Sequence, residues 1–220
     1  MTETYASLRS RLLKNPEQFE ARGEGNALLK EHFRGAPVNL LRPLLRHSNA
    51  SVRGTAMFVA NELGAAATEL IDDIIPLMKD LDIHTQYDAI ESVWLCSVGQ
   101  QVDKFSYVLR ELENTDAVIC SSTMRLVSKA RPSQIEAGIK HDENLGPNRL
   151  QHEKGLRALA NWRNVSRVEI LGMLDDPTDL TQKYGAMVAG RRFDQSPHLI
   201  QQAAKSENEA VSRFARQRMQ

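Results

Sequence analysis

The stretch Leu41-Arg42-Pro43-Leu44-Leu45 indicates the fold, because its pattern returns 33 residues later as Ile74-Ile75-Pro76-Leu77-Met78. The match continues beyond these stretches, since Ala56 and Ala89 lie at equal distances after the two prolines. A fixed period of this length is typical of helical hairpins that stack side by side, each burying its apolar face against its neighbours. The repeat therefore predicts an all-α fold whose stacked hairpins present an extended surface for binding.

A third copy of the pattern is expected one period further along, where Val118 corresponds to Thr85 and Ser122 corresponds to Ala89. In each copy a small residue follows an apolar or β-branched position by four places, and Ala215 occupies the same place near the C-terminus. Helices whose axes lie about 8–10 Å apart need a low side chain where they cross. We therefore expect these small residues to lie buried between neighbouring helices.

Hydrophobic periodicity and turn residues divide residues 1–220 into an N-terminal helical cap, 1–37, and about six helical hairpins, 38–220. No Gly/Ser-rich linker or charge block separates these hairpins, so a single domain is expected. The turns of the three clearest hairpins each contain an Asp or Asn that can accept hydrogen bonds from free N–H groups at the start of the next helix. These turns are residues 47–49, 80–82 and 114–116.

Proline is expected to bend the first helix of the two best-matched hairpins. Pro43 and Pro76 lie inside the apolar stretches, and proline lacks the N–H group that a continuous helix needs. A kink at these positions would let each outer helix curve around the inner helix that follows it.

The apolar stretch around Pro43, a polar turn, and the segments Val52-Arg53-Gly54-Thr55-Ala56 and Glu62-Leu63-Gly64 together resemble HEAT repeats. Two units match well, at residues 38–64 and 71–96. Tetratricopeptide repeats have a similar period, but their Trp, Gly-Tyr and Ala-Phe anchors are missing from this sequence. The resemblance implies an α-solenoid of about six HEAT-like helical hairpins.

The segment from Gly23 to Pro37 is similar to a segment of small bacterial HEAT-like proteins. Several of those proteins resemble immunity proteins of polymorphic or contact-dependent growth inhibition toxin systems. The similarity covers about the first 100 residues and implies a non-enzymatic protein that binds and neutralises a cognate toxin, such as a nuclease. HEAT-like DNA glycosylases and accessory factors such as bilin lyases are the alternatives.

The composition gives the chain no net charge. It contains 28 Lys and Arg and 28 Asp and Glu among 220 residues, and aromatic residues make up only 5%. A strongly basic balance would favour nucleic acid, so no nucleic acid partner is expected. No stretch reaches the roughly 20 apolar residues that span a bilayer, and residues 1–14 lack an apolar run of signal-peptide length. We expect a cytoplasmic protein with no membrane partner that is monomeric when free.

The neutral average hides an acidic block at residues 62–116, which holds twelve acidic and three basic residues, a net charge of −9. Residues 1–61 carry a net charge of +4, and residues 117–220 carry +5. Clustered carboxylates steer a basic partner toward a surface and raise its association rate. The block therefore predicts a docking face for a basic protein, such as the surface of a toxin.

Aromatic side chains beside these acids are typical of interface hot spots. A solvated face, with Trp94 packed between hairpins, is the alternative interpretation of the same pattern. The predicted partner-binding residues are Asp72, Asp73, Asp80, Asp82, Tyr87, Asp88, Glu91 and Trp94.

Motifs for catalysis or cofactor binding are not found in the sequence, which has no glycine-rich phosphate loop and no His-Glu-x-x-His pattern. His84 and Asp88 lie one helical turn apart without a nucleophile, and the residues that flank the loop at 141–148 are not expected to converge on a metal. Cys96 and Cys120 lie in apolar helical stretches and are expected to be buried free thiols. We expect no enzymatic activity, no cofactor and no metal.

Overall fold

A computed structural model describes residues 4–220, apart from the side chains of residues 142–144. Throughout this range the chain forms helices joined by short turns and contains no β-strand, so the all-α prediction is confirmed. The α-helices are α1 Tyr5–Lys14, α2 Pro16–Ala21, α3 Gly25–Phe33, α4 Arg42–Leu45, α5 Ala50–Leu63, α6 Ile71–Ile74, α7 Ile83–Cys96, α8 Phe105–Arg110, α9 Ala117–Val127, α10 Pro132–Lys140, α11 Arg149–Ala160, α12 Arg167–Leu174, α13 Asp179–Arg191, α14 Pro197–Ala203 and α15 Glu209–Met219.

Helix packing divides the chain into two compact units. Unit 1 is Met1–Cys96 and contains α1–α7, whereas unit 2 is Ser97–Gln220 and contains α8–α15. Each unit encloses its own fully buried side chains, such as Met57 in unit 1 and Phe105 in unit 2. The expectation of a single domain over the whole chain stays a prediction.

The repeat of 33 residues is visible in unit 1 as two equal helices that pack side by side. The helices α5 and α7 each contain 14 residues and begin 33 positions apart. Asn49 caps α5 and Asp82 caps α7, each accepting a hydrogen bond from the backbone N–H three residues later, at 3.2 and 2.7 Å. The predicted capping is therefore confirmed, as is the burial of the small residues Ala56, Ala89 and Ala215, each 0% exposed.

The first helix of each of these hairpins consists of short segments. A 3₁₀ segment, Val38–Leu41, precedes α4, and the 3₁₀ segments Gly64–Leu70 and Ile75–Lys79 flank α6. Pro43 and Pro76 each lie in the first turn of a segment, where the missing N–H removes no helical hydrogen bond. Alternation between α and 3₁₀ geometry thus replaces the single kink that the prolines predicted.

The third copy of the repeat is displaced by one residue from the predicted register. Val118 keeps 42% of its surface exposed, whereas Ile119 and Thr123 are buried, at 1% and 0%. Asp116 caps α9 and lies 34 rather than 33 positions after the cap of α7, so every inward position of α9 moves one residue further along. The prediction that Val118 and Ser122 occupy the buried positions is therefore wrong by one residue.

Unit 2 is built around α13, which packs against α9, α11, α12, α14 and α15. All residues at 183–190 are buried, so this helix is enclosed by its neighbours and is not amphipathic. Lys183 Nζ donates a hydrogen bond to the carbonyl oxygen of Leu112 at 2.8 Å, and Arg191 donates to three further backbone carbonyls. These bonds tie the central helix to segments that are distant in the sequence.

A fully buried tyrosine joins α13 to α11. A Cβ atom at Gly155 would lie only 2.1 Å from the ring of Tyr184, so this ring occupies the space left by the glycine. The hydroxyl of Tyr184 lies 2.9 Å from His152 Nδ1, and His152 Nε2 lies 3.1 Å from Glu113 Oε1. Burial lowers the pKa of His152, which favours a neutral ring. A carboxylate can only accept a hydrogen bond, so Nε2 carries the proton and the tyrosine donates to Nδ1.

The replacement Gly155→Ala is expected to lower the free energy of unfolding by at least about 2 kcal/mol, because the new methyl group would overlap the ring of Tyr184. Gly172→Ala is the matched control, since a Cβ atom at that position of α12 meets no atom within 4 Å. The control should raise the same free energy by up to about 1 kcal/mol, because alanine favours helix. Urea denaturation followed by circular dichroism measures the free energy of unfolding of both variants. Equal changes in the two would contradict the close contact between Gly155 and the ring of Tyr184.

Candidate interaction groove

A groove of about 340 Å³ opens on unit 1 beside the middle of α5, the first two turns of α7 and the turn between α2 and α3. Three carboxylates line it, from Glu20, Asp82 and Asp88, together with the ring of Phe58 and the imidazole of His84. Among the described residues that form its wall there is no Lys or Arg. The groove therefore offers negative charge beside one aromatic surface.

Glycine residues hold the helices around the groove close together. A Cβ atom at Gly25 would lie 3.3 Å from the ring of Phe58, and one at Gly54 would lie 3.2 Å from Thr85 Oγ1. These distances are shorter than ordinary contacts, so a Cβ atom at either glycine would force the side chain of Phe58 or Thr85 to shift by a few tenths of an ångström. Because these glycines carry no side chains, backbone atoms form part of the groove wall.

Asp88 supplies the groove with a half-buried carboxylate that the chain does not neutralise. Within the described part of the protein, this carboxylate makes no hydrogen bond and no ion pair. Burial raises the pKa of Asp88 to about 6, with a further contribution from Glu91, while His84 opposes the shift. The side chain is therefore charged at neutral pH at a cost in free energy, which a cation in the groove would reduce.

Two other predicted residues, Asp80 and Asp82, organise the turn before α7. Arg53 donates from Nε and Nη2 to the carboxylate of Asp80 at 2.7 and 3.2 Å, and these hydrogen bonds lower the pKa of Asp80. Asp82 accepts the capping hydrogen bond from the N–H of Thr85 and also lines the groove. The carboxylate of Asp80 is thus paired within the protein and stabilises the fold, whereas Asp82 adds negative charge to the groove.

The predicted residues Asp72 and Asp73 lie on α6 and do not line the groove. Asp73 is only 4% exposed, and its carboxylate lies 2.5 Å from Arg46 Nε and 3.4 Å from Arg42 Nε. Asp72 is exposed. A partner that docks on the folded protein can therefore reach Asp72 but not the carboxylate of Asp73.

Tyr87, Glu91 and Trp94 are partly exposed and follow one another on α7 at spacings of four and three residues, which places them on one side of the helix. Glu91 lies near enough to Asp88 to raise its pKa. The structure therefore brings Asp82 and Asp88 together at the groove, and Glu91 lies close to Asp88 without lining it. The aromatic residues Tyr87 and Trp94 lie on the same helix but do not line the groove.

Sequence reasoning missed Phe58 and Glu20 as parts of the groove. Gly54 was an available signal, because a glycine inside a helix costs about 1 kcal/mol relative to alanine and so indicates a close contact. The approach of Glu20 depends on the turn at Gly23, whose φ angle is 65°. No local pattern reveals where that turn places the side chain of Glu20.

We also looked for a metal site, a membrane-spanning helix and reactive cysteines among the described residues. Among the described side chains, which exclude those of the predicted flanking residues Asp142 and Glu143, no three His, Cys, Asp or Glu form a cluster that could hold a metal. In the part of the chain that the structure describes, no helix has the length and apolar character needed to cross a bilayer. Cys96 and Cys120 are buried free thiols, as predicted, and burial raises the pKa of both.

No family model, no curated protein and no solved structure matches this chain. The resemblance to HEAT repeats and to immunity proteins therefore depends on the sequence motifs alone.

The replacement Asp88→Asn is expected to stabilise the protein above about pH 6 by about 1 kcal/mol, a value that allows for solvent screening of a partly exposed carboxylate. The pKa of Asp88 is raised in the folded state, so ionisation of this group favours unfolding as the pH rises. The gain should disappear as the pH falls from about 6 toward about 4, because the wild-type carboxyl is then protonated. Urea denaturation of both proteins across this range measures the difference.

Asp80→Asn is the matched control and should have the opposite sign. The pKa of Asp80 is lowered by Arg53, so its stabilising effect is present at neutral pH and is lost as the pH falls through its folded-state pKa. The variant should lose about 2 kcal/mol at neutral pH, since a charge-assisted pair is broken. Stabilisation by both substitutions at neutral pH would contradict the contrast drawn between the two carboxylates.

Proposed function

We propose that the protein is a non-enzymatic binding protein that holds a basic segment of another protein in the groove of unit 1. Following the resemblance to small immunity proteins, the partner is a cognate bacterial toxin, which this protein neutralises by covering its basic surface. The proposal includes a HEAT-like arrangement of about six hairpins, supported by the equal lengths of α5 and α7. The observation that carries the binding role is the half-buried, unneutralised carboxylate of Asp88.

A cationic side chain fits the groove for electrostatic reasons. The charge on Asp88 costs free energy because burial removes water from it, and Glu91 adds repulsion. An arginine or lysine from a partner would replace the lost water with a charge-assisted hydrogen bond. Binding would therefore remove the free-energy cost of holding the charged Asp88 carboxylate away from water.

The ring of Phe58 favours arginine over lysine as the inserted residue. This ring is half-exposed and lines the same groove as Asp88. A guanidinium group can lie flat against an aromatic ring while its edge bonds to a carboxylate, whereas an ammonium group is a more strongly hydrated point charge. The pair of side chains therefore suits one arginine at the centre of the contact.

The negative charge of the groove favours a basic protein over the ligands of the two alternative functions, DNA glycosylase and bilin lyase. A DNA glycosylase holds a phosphate backbone, and a bilin carries propionate groups, so both ligands bring negative charge. Glu20, Asp82 and Asp88 would repel such groups at short range. A protein partner with a basic surface meets the opposite sign and gains from it.

The first test uses the product of the gene that neighbours the one for this protein. We expect its expression to arrest bacterial growth, and co-expression of this protein to restore growth. Isothermal titration calorimetry of the two purified proteins then gives the dissociation constant. A growth arrest that this protein does not relieve, with no heat of binding, would contradict the immunity role.

Two variants then locate the contact on the groove. Asp88→Asn and Phe58→Leu should each weaken the complex by about tenfold, since each removes one of the two groups that receive the arginine. Phe58→Leu keeps an apolar side chain against Gly25, so it is not expected to unfold the helices. The weakening by Asp88→Asn should fade below about pH 6, where the wild-type carboxyl is protonated.

Glu136→Gln is the control, because it removes one negative charge from an exposed position of unit 2 outside the groove. The affinity of this variant for the toxin should equal that of the wild-type protein. Asp72→Asn tests whether the exposed acid on α6 belongs to the contact, as the sequence predicted. If Asp88→Asn binds as tightly as Glu136→Gln at neutral pH, the groove is not the docking site.

A further inference from the structure

A second pocket, in unit 2, has the opposite charge. Its volume is about 250 Å³, and it lies where the C-terminal ends of α9, α13 and α15 meet. Four cationic side chains contribute to its wall, and among the described residues that line it there is no Asp or Glu. These cations are Arg125, Lys129, Arg191 and Arg218.

Arg191 is fixed in this pocket by the backbone around it. Its Nε donates to the carbonyl oxygen of Ser128 at 2.7 Å, its Nη1 to that of Leu159 at 3.1 Å, and its Nη2 to that of Ala130 at 3.1 Å. A guanidinium group has five N–H donors, so two remain after these three bonds. The group is therefore held rigidly, with donors left for a further acceptor.

Phe214 and Arg218 both lie against Gly190 at the end of α13. A Cβ atom at Gly190 would lie 3.1 Å from Phe214 Cζ, so the glycine makes room for this ring, whereas Arg218 Cγ, at 3.9 Å, would be in ordinary contact. Arg218 Nε donates to the carbonyl oxygen of Gly190 at 3.3 Å, which leaves its terminal nitrogens available. The pocket thus has one apolar wall, from Phe214, beside the fixed guanidinium group of Arg191 and the exposed guanidinium group of Arg218.

The positive charge of this pocket is only partly balanced within the chain. Helix C-termini carry a partial negative charge of about −0.5 each, and the carbonyl contacts of Arg191 and Arg218 use this effect. In the described chain, Lys129, Arg191 and Arg218 nevertheless form no ion pair with a carboxylate. Burial lowers the pKa of Arg191, in accord with a guanidinium group that has no anionic partner. These three like charges, which converge without a carboxylate partner among the described residues, repel one another.

We propose that this pocket is a binding site for a small anion that carries a phosphate group. A phosphate group brings up to two negative charges and several acceptor oxygens, which match two guanidinium groups, one of them fixed, and one ammonium group. The volume is below the roughly 300–1,000 Å³ of sites for drug-sized ligands, so it suits a compact group. This site lies within unit 2 and does not depend on the function proposed for the groove.

The test is a titration of the full-length protein with inorganic phosphate and with pyrophosphate, at an ionic strength held constant with sodium chloride. Binding is followed by isothermal titration calorimetry and by the shift in melting temperature. We expect saturable binding of both anions, with pyrophosphate the tighter because it carries more charge. A melting temperature that rises equally with chloride alone, without saturable heat, would overturn the proposal.

Lys129→Gln and Arg218→Gln should each weaken pyrophosphate binding by about fivefold to tenfold, since each removes one cation from the pocket. Arg216→Gln is the matched control, because Arg216 is exposed on the same helix as Arg218 but does not line the pocket. Arg191 is left intact because its three carbonyl contacts support the fold. If all three variants lose pyrophosphate affinity equally, binding reflects only the overall charge of the protein, and the proposed site is wrong.

A single-stranded oligonucleotide without terminal phosphates distinguishes a compact anion from a nucleic acid backbone. We expect it to bind more weakly than pyrophosphate, because a chain of phosphodiesters does not fit a pocket of about 250 Å³. If the oligonucleotide binds more tightly and Lys129→Gln and Arg218→Gln reduce that binding, the pocket is part of a nucleic acid surface and the small-anion proposal is wrong.

Discussion

Close packing of neighbouring helices is the constraint on which the described structure depends. In five helices of the two units, α5, α7, α9, α13 and α15, a small or β-branched residue lies seven positions after the capping position and is buried. In four of them, α5, α7, α9 and α15, the capping side chain accepts a hydrogen bond that fixes where the helix begins. In all five, the residue seven places later lets a neighbouring helix approach. Cap and crossing position together therefore set both the register and the distance of each packed pair. These residues are Ala56, Ala89, Thr123, Gly185 and Ala215.

The packing of the helices also decides which carboxylates are paired with arginines and which are left without a cationic partner. In unit 1 the turn before α7 is close enough to α5 for Arg53 to reach Asp80, and α6 is close enough to α4 for Arg46 to reach Asp73. Both carboxylates are thereby used to hold one hairpin against the next. Asp88 lies where α7 meets α5 through Gly54 and Thr85, and no cation of the described chain reaches it there. The packing that pairs some acids therefore leaves this one unpaired.

The helices and their caps could be predicted because both depend on local chemistry, as at Asn49 and Asp82. The register of α9 could not be predicted, since one extra residue before Asp116 leaves the period almost unchanged while it moves every inward position. The enclosure of α13 depends on helices that are distant in the sequence. At the groove, Asp88 was predicted from its charge, whereas Phe58 was missed because its exposure depends on a glycine contact from α3.

The net charge of a segment is a poor guide to binding because it ignores pairing within the fold. Asp73, Asp80 and Asp88 contribute equally to the −9 of residues 62–116, yet the first two are neutralised by arginines and the third is not. The same reasoning applies with opposite sign to Arg191, which no carboxylate of the described chain neutralises. A charge that folding leaves uncompensated is held at a cost in free energy, and a ligand of opposite charge gains by removing that cost. Local imbalance of charge, and not the sign of a whole segment, is therefore the property on which both proposed binding sites depend.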